Sequence, residues 1–315
     1  MRTLPSGHAK RALAGQLLLA LRAFSSIAQA FSLAWAFVES NFFTFAVPNT
    51  VFGLLGALAG PRLLEGPSPL PLDILWRAPV VLFFNFYSVL IFDLANQYPS
   101  QSVAEDRANK PWRPLPAGRL TSDQARRLTL LAASAGLVFN YGLGLWSEGL
   151  LVQVLSYYYN ELEGSGGLLR DAIIAVSYGL ANRASLKLAA GPENRVSPAG
   201  HAWTAVVSGV VLTTMHVQDI KDQRGDRMRG RKTLPLLLGD GRCRVALAVL
   251  VPSWSLVNVG FWRLGLVASA SYCLLAAWIA QRVLTKREAQ EDARTWRIWC
   301  FWLASLYAFP LFGAP

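Results

Sequence analysis

Gln218-Asp-Ile-Lys-Asp-Gln-Arg-Gly-Asp-Arg-Met-Arg-Gly-Arg-Lys-Thr-Leu-Pro235 packs nine charged side chains into eighteen residues. It continues from residues 199–219, an apolar stretch of the roughly 20 residues that a bilayer crossing needs. Charge placed at the end of such a stretch belongs to the surface end of a membrane helix, and that reading decides the fold. The chain does the same thing once more. Asn96-Gln-Tyr-Pro-Ser-Gln-Ser-Val-Ala-Glu-Asp-Arg-Ala-Asn-Lys-Pro-Trp-Arg-Pro-Leu-Pro-Ala-Gly-Arg119 follows the apolar stretch 76–96. Both segments mix carboxylates with Arg and Lys. Carboxylates suit Mg²⁺, and the bases beside them suit phosphate oxygens. Together they imply a metal-bridged diphosphate held at the bilayer surface.

Composition supports a membrane protein. Of 315 residues, 53% are hydrophobic and 16% charged, against roughly 25% charged in soluble domains. The mean hydropathy is +0.32, and the 11 Trp suit membrane interfaces. A net charge of +11 would suit nucleic acid, but here the bases flank apolar spans, so no nucleic-acid partner is expected. Cys243, Cys273 and Cys300 have neither metal-ligand spacing nor an even count, which excludes a disulfide framework. Arg2, Lys10, Arg11 and the short apolar Leu17–Leu21 resemble a signal peptide. Arg22 interrupts that run, and no clear cleavage site follows, so the segment reads as retained.

Candidate spans fall near 42–60, 76–96, 122–144, 149–162, 168–189, 199–219, 243–260, 263–283 and 295–313. The expected fold is all-α and integral to the membrane, with about nine transmembrane helices and no strands. Residues 9–38 have apolar positions at helical spacing with Arg11 and Arg22 interspersed, so residues 1–38 read as an N-terminal interfacial helix. The spanning domain then occupies 39–315. Four spans separate the two charged segments, an even number of crossings, so both lie on one side. Residues 105–127 hold six Arg and Lys and residues 219–244 hold eight, while 144–149 has Glu148 and none. The positive-inside rule therefore turns both segments to the cytosol, with the endoplasmic reticulum as the expected membrane.

In the second segment Asp219, Asp222 and Asp226 stand at i, i+3 and i+7, one face of a helix. Three like charges there repel, and at the C-terminus of a membrane helix the dipole opposes them further. A divalent cation would remove both penalties. Gly225 and Gly230 let the chain turn, bringing Arg231 and Lys232 round as diphosphate donors, although anionic lipid is an alternative partner for either. In the first segment Asn96 ends a span and Pro99 ends or kinks its helix. Glu105 and Asp106 are adjacent and diverge by about 100° on a helix, so only one points at a shared ion. Asp106 is the expected direct ligand, with Glu105 a second ligand or a neighbour of one. Lys110 and Arg113 flank Pro111 on an extended stretch, and the planar fork of Arg113 makes it the better phosphate clamp.

These residues resemble the UbiA superfamily of intramembrane prenyltransferases. The second segment is similar to that family's DxxDxxxD element followed by GRKTLP, and Asp106-Arg-Ala-Asn-Lys-Pro-Trp-Arg-Pro-Leu-Pro-Ala-Gly118 to its other element. The resemblance covers about 39–313 and implies nine helices around a central cavity, with Mg²⁺ bridging a prenyl diphosphate to Asn96, Glu105, Asp106, Asp219, Asp222 and Asp226. The chain departs from the prenyltransferase pattern Asn-Asp-x-x-Asp-x-x-x-Asp. Gln97 follows Asn96, Ser100 replaces a carboxylate, and the spacing to Asp106 is two residues longer. Those details, with Val47-Pro-Asn-Thr-Val-Phe-Gly53 and Tyr157-Tyr-Tyr-Asn-Glu-Leu-Glu-Gly164, resemble the fungal UbiA-type class I terpene cyclases. That implies cyclisation of farnesyl diphosphate to a sesquiterpene in the bilayer, with no second substrate and no obligate protein partner. The alternative is transfer of the prenyl group to an aromatic or other acceptor.

An allylic cation needs a dry chamber with aromatic faces. Phe52, Phe83, Phe84, Phe86, Tyr87, Tyr157, Tyr158, Tyr159 and Trp203 are candidates for its walls. His216, three residues before Asp219, either faces the ion or packs in the core. Arg183 and Lys187 read as interface anchors, and Asn49, Asn85 and Asn160 as polar groups within spans that serve function or helix pairing. A transporter would not need two acidic clusters at one surface, and a scaffold explains neither.

Overall fold

The computed structural model describes residues 28–162, 164–166, 169–228 and 230–314. Its helices are α1 (Ala28–Leu58), α2 (Pro71–Gln97), α3 (Ser100–Asn109), α4 (Ser122–Gly142), α5 (Trp146–Glu161), α6 (Arg170–Ala190) and α7 (Pro198–Thr214). After these come α8 (Val217–Met228), α9 (Leu234–Leu238), α10 (Asp240–Phe261), α11 (Leu266–Thr285), α12 (Ala289–Ser305) and α13 (Phe309–Phe312). The long helices α1, α2, α4, α5, α6, α7, α10, α11 and α12 each overlap one of the nine expected spans. Among the described residues α1, α2, α10 and α11 are both long and apolar enough to cross a membrane. Large apolar side chains such as Leu75, Trp76, Leu131, Val138, Val267 and Leu274 point outward, as suits a surface that faces lipid.

Only the end of the expected interfacial helix lies among the described residues. Residues 28–38 run without a break into the first span, so α1 is a single helix of 31 residues. The rest of that expectation, residues 1–27, lies outside the described residues. Within α1 a π-helical turn occupies Phe42–Ala46. Pro48 follows it and has no N–H to give to the turn before, so the ladder is already broken there. One small strand pair was not expected: Leu64–Glu65 lies antiparallel to Arg195–Val196 at the end of the bundle away from both charged segments.

Small residues set the closest approach. An added Cβ on Gly53 of α1 would lie 2.5 Å from the Ser185 backbone of α6, so the two helices meet at van der Waals distance through Gly53. The largest core cluster gathers α1, α6, α7 and α10 to α12 around Trp203, Trp262, Trp302 and Tyr307, all buried. Two of its indoles are tied down, Trp299 donating to Thr214 at 3.0 Å and Trp302 to Ser255 at 2.9 Å, while those of Trp203 and Trp262 are buried without a partner.

Candidate active site

The expected span 199–219 ends early. α7 stops at Thr214, the backbone turns at Met215 and His216, and α8 starts afresh at Val217. Asp219 therefore lies in the first turn of a helix and not at the C-terminus of one. The sign of the dipole argument reverses, because the N-terminal end of α8 favours an anion. His216 is buried at this break.

The three aspartates of α8 are not alike. Asp219 and Asp226 are buried, whereas the Asp222 side chain is 55% exposed and pairs with Lys221. Positions i and i+7 share a face, and i+3 is turned about 60° from it. Asp219 is gripped by Arg170 from the start of α6, Nη1 to Oδ2 at 2.9 Å and Nη2 to Oδ1 at 3.0 Å. Arg170 also bonds Asp171 at 2.9 Å and Tyr159. Asp226 accepts from Arg231 at 2.9 Å, while its Oδ2 is buried without a hydrogen-bond partner. Arg231 returns to this place because Gly230 takes φ +67, a left-handed conformation open to glycine; Gly225 lies inside α8 and makes no turn. Lys232 is exposed, and its backbone N–H donates to Gly166 at 3.2 Å.

The first segment contributes α3. Asp106 is buried and takes both its bonds from Arg113 Nη1, at 3.0 and 2.8 Å. Glu105 is half-buried beside it. Lys110 is half-buried too, and burial, reinforced by the adjacent Arg113 charge, lowers its pKa. Lys110 also feels the charges of Asp106, Asp93 and, from α8, Lys221. The two segments thus share one electrostatic site. Asn96, on the last turn of α2, donates its amide to Asn160 Oδ1 at 2.9 Å, a contact that spends its donor nitrogen and not its acceptor oxygen.

The joint between the segments is the C-terminal end of α5. Tyr159 touches Arg170, Asn160 holds Asn96, and Glu161 accepts from Tyr98. Two members of the site were missed from sequence. Arg170 is a cation in the first turn of a helix, against the dipole, which was a readable sign of a nearby acid. Asp93 is a carboxylate inside a span, and such a residue is a functional candidate by default.

Below α8 lies a crevice lined by Phe45, Tyr178, Met215, Trp296, Trp299 and Tyr307, with Gln218 at its rim. The π-helical turn supplies Phe45, and Trp296 also lies under Lys221, 5.1 Å from Nζ to ring centroid. None of the aromatic residues expected in the chamber lines this crevice; Phe52 meets Tyr307 from behind at 5.3 Å. The crevice is narrow, about 40 Å³, room for two or three waters, so a prenyl chain would enter only as its walls move. Arg183 and Lys187, expected as interface anchors, have a shared protein partner. They converge on buried Glu148, at 3.5 and 2.9 Å.

Among the described residues no three His, Cys, Asp or Glu side chains converge closely enough to hold a metal ion by themselves. The donors are nevertheless of the right kind for a hard cation: carboxylate oxygens, two of which, Asp93 Oδ2 and Asp226 Oδ2, are buried without a partner.

The fold and site define a helical integral membrane protein whose two acidic and basic segments lie within each other's electrostatic reach, the second beside an aromatic crevice. The chain belongs to the UbiA prenyltransferase family, whose profile matches residues 53–306. It is 27% identical over 91% of its length to the diterpene cyclase eriG of Hericium erinaceus, covering 90% of that protein. It is 30% identical over 89% of its length to the somaliensene A/B synthase of Streptomyces somaliensis, covering 92% of that protein. The solved structure of a UbiA homologue from Archaeoglobus fulgidus, bound to GPP and Mg²⁺, superposes with a TM-score of 0.60 over 89% of this chain and 99% of that one, at 13% identity.

Proposed function

We propose that this protein is a Mg²⁺-dependent terpene cyclase of the membrane, acting on a prenyl diphosphate, farnesyl diphosphate first. One observation carries the reading. Two of the four expected diphosphate-binding bases are locked onto expected metal ligands, Arg113 onto Asp106 and Arg231 onto Asp226. Such pairs are a resting arrangement for a site that takes an anion and a cation together. Arg113, Arg231, Lys110 and Lys232 would turn to phosphate oxygens, while Asn96, Glu105, Asp106, Asp219, Asp222 and Asp226 would be released to hold the ion. Bound there, the cation neutralises charge on the leaving oxygens. The allylic C–O bond then breaks with its electron pair leaving on diphosphate. The carbocation closes upon its own double bonds beside Phe45, Tyr178, Trp299 and Tyr307, whose ring faces favour positive charge, and transfer of a proton to the released diphosphate ends the sequence. Nine spans across an endoplasmic reticulum membrane, with the site on the cytosolic face of a catalytic unit at 39–315, complete the reading.

Support for cyclisation over transfer comes from the first segment, which lacks carboxylates at Gln97 and Ser100, and from the relatives named as a cyclase and a synthase. Transfer to an acceptor is the second reading, favoured by the family's own activity. The test is incubation of purified protein in lipid with farnesyl diphosphate, or with its C20 homologue, and Mg²⁺ alone, followed by gas chromatography and mass spectrometry. A cyclic hydrocarbon formed without acceptor, lost with EDTA and recovered with Mg²⁺, is the expected result. A prenylated aromatic as main product, with hydrocarbon absent, would replace cyclisation by transfer. The more abundant product of the two substrates fixes the chain length.

A further inference from the structure

Asp93 is 1% exposed, inside α2, and one turn before Asn96. Its Oδ1 accepts from Asn41 of α1 at 2.6 Å, and its Oδ2 is buried without a partner. Gln97, where the family pattern has an aspartate, is equally buried on the same face of α2, one turn on; it donates to the Phe37 carbonyl of α1 at 2.9 Å and carries no charge. The departure at position 97 thus has a structural counterpart at position 93.

A buried carboxylate with one neutral donor is expensive, several kcal/mol in effective desolvation. If its work were only to bond Asn41, an asparagine would fill the same space at a fraction of that cost. The charged form is favourable there only with a cation to offset it. The charges near enough to act on it are Arg113 and Lys110, which attract it, and Asp106, which repels it. All three belong to the first charged segment, and two carboxylates within each other's field at the end of one bundle are what a divalent cation stabilises.

We propose that Asp93 is a metal-facing carboxylate of this site, supplying from one turn deeper in α2 the negative charge that Gln97 does not. Resting on the Mg²⁺ reading above, the inference extends the ion's surroundings into the bilayer-embedded part of α2. It also gives Asn41 a role: α1 orients Asp93 through Oδ1 and leaves Oδ2 for the ion.

The test uses Mn²⁺ as the ion and inorganic pyrophosphate as the anion, with full-length protein in detergent. Bound Mn²⁺ is counted by electron paramagnetic resonance, so no turnover is required. Asp93→Asn keeps the shape and the Asn41 bond and removes the charge. It is expected to weaken Mn²⁺ binding by about tenfold or more, the loss typical of groups supporting a metal site. Asp93→Glu, which restores the charge on a longer arm, recovers part of that loss, and Gln97→Leu leaves Mn²⁺ affinity at the wild-type value. A counter-charge for the two bases behaves oppositely: Asp93→Asn would leave Mn²⁺ binding unchanged and tighten metal-free pyrophosphate, because Lys110 and Arg113 lose an anionic neighbour. That result, or equal loss in the Asn and Glu variants, overturns the assignment of Asp93 while Asp219→Asn still abolishes binding. Wild-type protein that binds no Mn²⁺ with pyrophosphate overturns the Mg²⁺ reading and this inference together.

Discussion

Arg170→Met separates what holds Asp219 in the resting protein from what holds it when a cation is present. The Asp219 side chain is 3% exposed and that of Arg170 12%. The guanidinium makes two bonds to Asp219 at 2.9 and 3.0 Å and one to Asp171 at 2.9 Å. Removing one partner of a buried pair costs about 3–5 kcal/mol, because the other charge is left uncompensated. Met keeps the apolar stem, so the loss is that of charge and bonds. At about 2 °C per kcal/mol for a protein of this size, unfolding in metal-free detergent should fall by roughly 6–10 °C. Mg²⁺ with pyrophosphate should then raise the variant's midpoint more than it raises the wild type's, since the ion no longer competes with Arg170 for the carboxylate. Combining Arg170→Met with Asp219→Asn should recover most of the loss, because no unpaired charge remains. A single-variant cost under about 1 kcal/mol, or strict additivity in the double-mutant cycle, would refute the coupling.

Three other outcomes follow from the geometry. Asp222→Asn should leave thermal stability within about 0.5 kcal/mol, as expected of an exposed site, and nearly abolish turnover; wild-type product formation by gas chromatography would remove Asp222 from the ligands. Gly53→Ala should lower the unfolding temperature by an amount worth about 1–3 kcal/mol, because the new methyl meets the Ser185 backbone at 2.5 Å; an unchanged melting curve would show that α1 and α6 part more easily than that contact implies. Gln97→Asp with Ser100→Asp should give no gain in kcat, since Gln97 faces the Phe37 carbonyl and an added charge there is buried without a partner; a faster enzyme would show that position 97 does reach the ion.

What the sequence revealed and what it hid divide along a physical line. Apolar runs are a local property, and the nine long helices overlap them; where such a run crosses lipid, its backbone must satisfy its own hydrogen bonds, which a helix does. The break between α7 and α8 has no such local cause: Met215 and His216 carry neither proline nor glycine, and only packing decides that the helix restarts before Asp219. The same holds for the continuous α1. Its residues 28–38 look interfacial in isolation but bury Phe37 and Val38 against α2 and the Leu115 loop. The DxxDxxxD spacing announced a charged helix face correctly in kind, yet the partner of each acid comes from elsewhere in the chain: Arg170 lies 49 residues before Asp219 and Arg113 seven after Asp106. A list of acids read from one strand of sequence therefore overstates how open they are. Asp106, Asp219 and Asp226 each face a base, Arg113, Arg170 or Arg231, so an incoming diphosphate with its cation would exchange partners within a site that is already paired. Asp93 differs in having no ion pair: its second oxygen, like Oδ2 of Asp226, is buried without a partner, but its first is held only by the neutral Asn41, which is why Asp93 marks where a cation is wanted.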